Sequence, residues 1–425
     1  MKRLSGIHLP HWKRTEEQPV RALPLPETVR LPMLMHTGDP CQPAVKKGDH
    51  VLLGQLVGEA VSESAVPIHA SVSGTVSAIT QYRTADGTEV PCVEITSDGE
   101  QRIFDGCQPP SVKSRDDLIR AARESGCVGL GGSGKPTFLK LAAVQKPQML
   151  IVNGAECEPY LTSDSRLMTE HPEDVIEGTA LIMRLLKIKE ARIGIQTDKP
   201  AAIRKLSELS AAQKGITVCP LPAVYPQGAE KVVIYHTCGK VIPEGKTAAD
   251  LGLITLNVST VAFLYQYVQT GIPMTERVVT VDGDAIKKPF NLRVPIGTNA
   301  VRLLEYTGCD FDHLHKLLCG GPMMGAALSS PDFPILKPQN GLIACKSAKQ
   351  PKPSPCIRCG RCIRVCPLNL MPVQLERAYQ KQDIRILTAH HITLCMNCGC
   401  CSYVCPAHRP LADVIQQAKT LLPKP

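Results

Sequence analysis

The chain has 425 residues and a formal net charge of +9, and 43% of its residues are hydrophobic. This length predicts three or four domains, each able to bury a core. Aromatic residues make up only 4% and include a single tryptophan, which argues against a nucleic-acid binder that stacks bases on aromatic side chains.

No window approaches 18 uncharged apolar residues, and the N-terminal stretch lacks the apolar segment of a signal peptide. We therefore expect a chain without a membrane span, which is cytoplasmic or docks on a membrane from the cytoplasmic side. In a reducing compartment its nineteen cysteines indicate metal ligands and buried thiols rather than disulfides.

Residues 40–79 alternate apolar and polar positions between glycine turns, a pattern typical of short strands in a small β-barrel or sandwich. The segments VKKGDHVLLGQLVGEA (45–60) and IHASVSGTV (68–76) resemble a biotinyl- or lipoyl-like hammerhead domain. The turn at 70–74 has no counterpart of the carrier lysine, so we expect a structural role and no swinging arm. We place this β-rich domain at residues 1–110.

From about residue 115 the pattern changes to helices that alternate with apolar strands. Helical patterns cover residues 115–126, 173–188 and 201–214, and runs typical of strands cover 149–153, 192–196 and 216–222. This alternation predicts an α/β layer, which we place at residues 111–275.

Residues 126–140 (GCVGLGGSGKPTFLK) contain closely spaced glycines that would let a loop approach a ligand and cradle a phosphate with its N–H groups. The loop lacks the context and spacing of a G-x-G-x-x-G dinucleotide fingerprint. It is not a Walker A sequence either, because Lys135 is followed by Pro136. Taken alone, it is more typical of a plain tight loop.

Residues 278–308 predict two strands around an Asp-Gly-Asp turn and a helix from Thr298, similar to a β-grasp (SLBB) domain at 276–330. Residues 331–355 hold six prolines among polar residues, so we predict a linker, assigned to 331–350. The remaining residues, 351–425, would form a separate domain.

Residues 356–367 and 395–406 each fit C-x2-C-x2-C-x3-C-P, the spacing of bacterial ferredoxins with two 4Fe–4S clusters. In this motif the fourth cysteine of each run ligates the other cluster. We therefore predict one cluster on Cys356, Cys359, Cys362 and Cys405, and another on Cys395, Cys398, Cys401 and Cys366. Cys400 remains as a spare thiol.

Zinc is the weaker alternative for these cysteines, because it commonly takes two separated pairs of ligands. Helices predicted at residues 371–386 and 411–422 would flank the two clusters in a helical two-cluster ferredoxin domain. Such clusters transfer electrons one at a time.

Four segments, in this order, resemble the flavin-binding subunit of respiratory complex I. They are residues 129–140, 153–168 (NGAECEPYLTSDSRLM), 225–243 (YPQGAEKVVIYHTCGKVIP) and 256–261 (LNVSTV). Adding residues 6–13 (GIHLPHWK), 23–33 (LPLPETVRLPM) and 319–325 (CGGPMMG), the chain resembles still more closely the C subunit of the Rnf/Rsx electron-transport complex. The resemblance covers essentially the whole chain.

This resemblance implies an FMN site and an NADH site. The FMN phosphate would lie on the loop of Gly129, Gly131, Gly132 and Gly134, with Lys140 as charge partner and with Asn257 and Thr260 closing that side. Asn153 and Glu156 would contact the isoalloxazine or ribityl group, Gly228 would permit close approach of the flavin, and Glu158 and Glu230 fall where NADH contacts lie.

Lys135 departs from the family pattern, since relatives have an aromatic residue there that packs on the nicotinamide. A lysine would either pair with the dinucleotide pyrophosphate or leave the nicotinamide less well bound.

The resemblance also implies a peripheral subunit on the cytoplasmic side of the cell membrane. Its complex would couple electron transfer, between NADH and ferredoxin or another acceptor, to ion translocation. Partners would be the integral and peripheral Rnf/Rsx subunits and ferredoxin or another redox protein, and no nucleic acid. Two alternatives stay open. One is a soluble flavin/iron–sulfur oxidoreductase subunit, such as a cobalamin reductase or an electron carrier for an amino-acid reductase, and the other is a non-enzymatic scaffold.

Overall fold

A computed structural model describes residues 4–85, 87–347 and 351–423 as a mixed α/β architecture with four sheets. None of the helices among the described residues could span a lipid bilayer.

The N-terminal part is built from short strands. Their bounds are β1 (Arg21–Ala22), β2 (Thr28–Pro32), β3 (Gln42–Pro43), β4 (His50–Val51), β5 (Leu56–Glu59), β6 (Ile68–His69), β7 (Gly74–Arg83) and β8 (Glu89–Ser97). One antiparallel sheet has the order β2-β8-β7-β4 and another the order β3-β5-β6. Val29 and Leu31 on β2 are buried and alternate with the more exposed Thr28 and Arg30, as expected for a sheet with one buried face.

The central part is the α/β layer. Its elements are α1 (Arg115–Glu124), α2 (Thr137–Ala143), β9 (Met149–Gly154), α3 (Ser163–Glu170), α4 (Pro172–Leu186), β10 (Glu190–Gln196), α5 (Pro200–Ser210), β11 (Ile216–Leu221), α6 (Glu230–Cys238), β12 (Leu253–Asn257) and α7 (Val258–Thr270). A short 3-10 turn, Ala249–Leu251, precedes β12. The strands predicted near 149, 192 and 216 are present as β9, β10 and β11, and the three predicted helices as α1, α4 and α5.

The four strands of this layer are parallel and have the order β11-β10-β9-β12. β9 is buried along most of its length, as expected for a parallel strand covered by helices on both faces. The chain proceeds from β9 to β10 on one side and returns to β12 on the other. The carboxyl ends of β9 and β12 therefore flank a topological switch point, where open α/β sheets bind ligands.

One continuous hydrophobic core joins this layer to the N-terminal strands. It contains Val29 and Val93 from the strands together with Leu150 and Val261 from the layer. The boundary predicted near residue 110 therefore does not separate two independent cores.

A six-stranded mixed sheet follows, in the order β1-β14-β13-β17-β15-β16. Its further elements are β13 (Glu276–Asp282), β14 (Phe290–Pro295), α8 (Ala300–Tyr306), the 3-10 turn Phe311–His313, β15 (Lys316–Cys319), β16 (Ala326–Leu328) and β17 (Gly341–Cys345). β13 and β14 are the antiparallel pair predicted around the Asp-Gly-Asp turn.

Up to residue 347, the structure does not show the linker that we predicted at 331–350. β17 lies inside the sheet, parallel to β13 and antiparallel to β15. Phe333 and Ile335 are buried in the core of this sheet, and the buried Lys337 donates hydrogen bonds to the carbonyls of Pro67 and Gly126. The prolines of residues 331–338 precede the strand, and residues 348–350 lie outside the described part.

The C-terminal part is helical. It contains α9 (Arg361–Arg364), α10 (Pro372–Gln380), α11 (Ile384–Ala389), the 3-10 turn Ile392–Leu394, α12 (Cys400–Tyr403) and α13 (Leu411–Lys419). The single helix predicted at 371–386 is two helices, because Gln382 adopts a left-handed φ of 51° and Asp383 caps α11 with its side chain.

Candidate cofactor sites

A cavity of about 620 Å³ opens at the carboxyl ends of β9 and β12. Eleven of the twelve predicted flavin and NADH residues line it, namely Gly129, Gly131, Gly132, Lys140, Asn153, Glu156, Glu158, Gly228, Glu230, Asn257 and Thr260. Gly134 is not among the lining residues. Its N–H donates to the carbonyl of Gly129 and its carbonyl accepts from Thr37 N–H, so it closes the loop from behind.

The glycine loop lies against the N-terminus of α7. Leu130 N–H donates to Thr260 Oγ1 at 3.1 Å, and a Cβ on Gly131 would come within 3.0 Å of Asn257 Nδ2. The thirteen-residue α7 directs the positive end of its dipole toward this loop. A backbone loop beside a helix N-terminus is suited to a phosphate group.

Lys140 supplies a cation at the same end of the cavity. It belongs to α2, close to the exposed Glu230 in the first turn of α6. Burial lowers the pKa of Lys140, and Glu230 acts in the opposite direction.

Hydrogen bonds within the protein hold the two asparagines of the strand ends. Asn153 Nδ2 donates to the carbonyl of Gly228 at 2.8 Å. Asn257 Nδ2 donates to Asp164 Oδ2 at 2.6 Å, while its Oδ1 caps α7 by accepting from Ser259 N–H. These bonds fix the cavity wall before any ligand is bound.

Glu156 holds the start of α3. Its carboxylate accepts from the N–H groups of Asp164 at 2.7 Å and Ser165 at 2.9 Å, and its backbone has a left-handed φ of 40°. Burial raises the pKa of Glu156, and the neighbouring Lys13 opposes this. Because its carboxylate oxygens accept from the start of α3, Glu156 fixes the position of the cavity wall. Its contact with the flavin stays a prediction.

Glu158 is held by the loop of residues 319–325. Its two carboxylate oxygens accept from Met323 N–H and Met324 N–H, both at 2.9 Å. Gly321 lies so close that a Cβ there would be 2.4 Å from Glu158 Oε2. Burial raises the pKa of Glu158 to about 7, so this carboxyl can hold or release a proton near neutral pH.

The raised pKa of Glu158 predicts a pH-dependent stability. An unfolded glutamate has a pKa of about 4.3, so between that value and about 7 the folded chain binds the proton more tightly. The stabilisation of the folded chain by the bound proton is fully present below about pH 4.3 and is lost as the pH rises through 7. Relative to Glu158→Gln, the wild type should lose up to about 3 kcal/mol of unfolding free energy between pH 5 and pH 8. Parallel thermal-unfolding profiles for the two proteins over this range would contradict the assignment.

The lining residues fit FMN. The cavity volume lies within the range of sites for organic cofactors, and it joins a phosphate-type backbone loop to an apolar wall. Thr255 Oγ1 is buried, lines the cavity and has no hydrogen-bond partner among the described residues. A ligand with polar groups would satisfy it.

Sequence reasoning missed several cavity residues. Pro338, Gln339 and Asn340 come from the segment expected to be a linker, and Tyr225, Cys157 and Asp164 lie in recognised segments without having been singled out. The proximity of Asp164 to Asn257, 93 residues away, depends on the packing of α3 against α7 and has no signal in a local pattern.

Tyr225 connects this cavity to the second cysteine run. Its side chain is 2% exposed and lines the cavity, and its hydroxyl donates to the carbonyl of Cys398 at 2.7 Å. Burial raises the pKa of Tyr225, so the hydroxyl keeps its proton. Cys157, Met323, Cys398 and Cys400 pack in the same small cluster. A single side chain thus separates the flavin-type cavity from a predicted cluster loop.

Tyr225→Phe should therefore destabilise the C-terminal part. The Cys398 carbonyl would lose its donor in a partly buried site, at a cost of about 1–2 kcal/mol. The matched control is Tyr379→Phe, whose hydroxyl bonds Gln417 Oε1 at an exposed position and should contribute less than about 0.5 kcal/mol. Denaturant unfolding followed by cluster absorbance measures both. Equal effects of the two variants would show that Tyr225 does not tie the parts together.

The first predicted cluster site is a cavity of about 220 Å³. Cys356, Cys359, Cys362 and Cys405 all line it, although Cys405 belongs to the other run. Arg358 N–H points at Cys356 Sγ at 3.4 Å, as expected beside a thiolate ligand. Gly360 starts α9 with a left-handed φ of 71°, which lets the chain turn tightly between two ligands.

The second predicted set also converges across the two runs. Burial, then the nearby Cys398, Cys395 and Cys366, raise the pKa of the Cys401 thiol to about 12. Leu370 N–H points at Cys366 Sγ at 3.4 Å. Among the described residues, no group of three or more Cys, His, Asp or Glu lies close enough together to hold a single metal ion.

Three family models match the chain. They are the RnfC barrel sandwich hybrid domain over residues 2–100, the Nuo51 FMN-binding domain over 122–266 and the 4Fe-4S dicluster domain over 355–408.

Two curated proteins are similar over most of their length. The C subunit of the Na⁺-translocating ferredoxin:NAD⁺ oxidoreductase complex of Acetobacterium woodii is 39% identical, over 88% of this chain and 87% of that protein. The C subunit of the proton-translocating ferredoxin:NAD⁺ oxidoreductase complex of Clostridium ljungdahlii is 37% identical, over 88% and 84%. A solved NAD⁺-reducing NiFe hydrogenase is 17% identical with a TM-score of 0.49, over 74% of this chain and 64% of that one, a likeness too distant to carry a conclusion.

Proposed function

This chain belongs to the family of C subunits of ion-translocating oxidoreductase complexes, and from that premise we propose that it passes electrons between NADH and two 4Fe–4S clusters through FMN. The observation that carries the proposal is Tyr225, which lines the flavin-type cavity and bonds the loop of Cys398. The chain would be the peripheral, oxidoreductase subunit of a complex that couples electron transfer between NADH and ferredoxin, or another acceptor, to ion translocation.

The proposed chemistry needs a converter between two kinds of carrier. FMN, when bound, accepts two electrons as hydride and releases them singly, which iron–sulfur clusters alone cannot do. The residues of this chain would position the FMN and shield it. The glycine loop and α7 would hold the phosphate, with Lys140 as its counter-charge, and Glu158 would hold or release a proton at its carboxylate near neutral pH.

The contacts also suggest an order for the clusters. The site of Cys366, Cys395, Cys398 and Cys401 would be nearest the flavin, because Cys398 is bonded to Tyr225. The site of Cys356, Cys359, Cys362 and Cys405 would then be terminal, since Cys359 is exposed. Electrons entering from NADH would leave the chain at this terminal site.

The finer domain assignments belong to the same proposal. We assign the N-terminal strands to a hammerhead-like domain with a structural role, and residues 276–330 to a β-grasp-like domain. The two antiparallel sheets of the N-terminal part and the antiparallel pair β13 and β14 support these assignments.

Cell fractionation tests membership of a membrane complex. Cells that contain the integral partner subunits should retain the chain on the cytoplasmic side of their membranes, and it should co-purify with those subunits. A chain that stays entirely soluble in such cells would overturn the proposal and favour a soluble flavin/iron–sulfur oxidoreductase subunit, such as a cobalamin reductase or an electron carrier for an amino-acid reductase.

A further inference from the structure

The positive charge of the chain is concentrated in its C-terminal part. Residues 351–423 contain nine Lys or Arg against three Asp or Glu, a net charge of +6 in a chain whose total is +9. The rest of the chain, which is far longer, therefore comes close to charge balance. Such a local excess creates a positive potential that can steer and hold an acidic partner.

Four arginines of this part, which we call the arginine rim, surround the terminal cysteine site. Arg358, Arg361 and Arg377 line its cavity, and Arg364 ends the single turn of α9 that carries Cys362. All four side chains are exposed. Throughout the described residues, none of the four guanidinium groups has an ion-pair or hydrogen-bond partner.

Arg409, at the same site, has a structural role. It also lines the cavity, but its guanidinium forms a hydrogen-bonded pair with the buried Glu376 and donates to the carbonyl of Ser354 at 3.0 Å. The rim arginines have no such role in holding the fold.

The rim encloses an apolar and redox-active centre. Ile357 is 66% exposed and lines the cavity, and Cys359 is exposed beside it. An apolar patch with a charged rim is the usual composition of a protein–protein interface. This patch lies at the terminal cluster site, where a one-electron partner must approach.

We propose that the arginine rim docks another subunit of the membrane complex, through a carboxylate-rich face that surrounds a redox centre. The inference rests on the proposed function, because it takes this site to be the electron exit. Pairing of the rim with carboxylates would fix the register of the two centres, and Ile357 would exclude water between them. Complementary charge of this kind sets orientation and association rate more than total affinity.

The test compares two double variants in membranes that hold the whole complex. Arg361→Glu with Arg364→Glu reverses two rim charges, whereas Lys47→Glu with Lys113→Glu makes the same charge change at exposed positions in the N-terminal half. We expect the ratio of membrane-bound to free chain to fall at least about tenfold at about 0.15 M salt for the rim variant, and to stay near wild type for the control. Rising salt should release the wild-type chain as well.

Two results would overturn the docking proposal: retention of the rim variant as strong as that of wild type, or equal release of the control. If the rim variant loses iron, Arg377→Glu on α10 replaces it and must show the same release with all cluster iron present. NADH-dependent bleaching of the purified chain is measured separately. Its absence in wild type would refute the proposed function, whereas bleaching that is intact with unchanged membrane retention would refute the docking surface alone.

Discussion

Cys401→Ser should remove about half of the cluster iron from anaerobically prepared protein, while the same change at the adjacent Cys400 should remove none. Cys401 lies with Cys366, Cys395 and Cys398, whereas Cys400 is buried against Ile7 and Tyr225. The Cys400 thiol lies 3.9 Å from the carbonyl of Tyr225, and its hydrogen bond with the Cys398 thiol raises its pKa, so it should keep its proton beside the cluster rather than ligate it. Iron and sulfide analysis, with low-temperature EPR after reduction, measures the outcome.

This pair of variants also tests the order of the clusters. In Cys401→Ser the terminal site keeps its four cysteines, but the route from the flavin cavity is interrupted. NADH should therefore no longer reduce the remaining cluster, although a chemical reductant should. Loss of iron in Cys400→Ser, or full iron in Cys401→Ser, would show that the second run binds its cluster through a different set of cysteines.

Lys140→Met should weaken FMN binding by about ten- to a hundredfold, because a charged hydrogen bond to the phosphate contributes roughly 1.5–3 kcal/mol. Lys140 lines the cavity beside the glycine loop, whereas Lys135 is exposed and is not among the lining residues. Lys135→Met is thus the matched control and should keep the wild-type affinity for FMN. Fluorescence titration of flavin-free protein gives both dissociation constants.

The opposite pattern would place the phosphate elsewhere. If Lys135→Met lost FMN and Lys140→Met kept it, the phosphate would lie at the mouth of the cavity. The same control variant addresses the departure from the family pattern at Lys135. A change in the apparent affinity for NADH without loss of FMN would indicate that the lysine contacts the dinucleotide.

Local sequence patterns predicted the elements that depend on nearby residues. The cysteine spacing predicts both ligand sets, because three ligands of each proposed cluster would lie within seven residues. The strands β9, β10 and β11 are apolar runs bounded by helices, which a sequence window can detect. Asp383, as a helix cap, was a readable signal that the helix predicted at 371–386 would be interrupted.

Other features depend on pairing between distant segments. β17 lies in a proline-rich stretch that does not have the pattern of a strand. Its partners β13 and β15 precede it by about 60 and 25 residues. Nothing in residues 331–350 alone shows that they supply Pro338 and Gln339 to the cavity. The bond of Tyr225 to Cys398 spans 173 positions and is invisible to any sequence window.

Anaerobic titration with NADH tests the central claim most directly. In protein that holds FMN and both clusters, NADH should bleach the flavin absorbance and then the broad cluster absorbance, and Tyr225→Phe should alter the second phase more than the first. Clusters that stay oxidised at excess NADH, in protein with full FMN and iron, would contradict the account and leave a non-enzymatic scaffold as the better description.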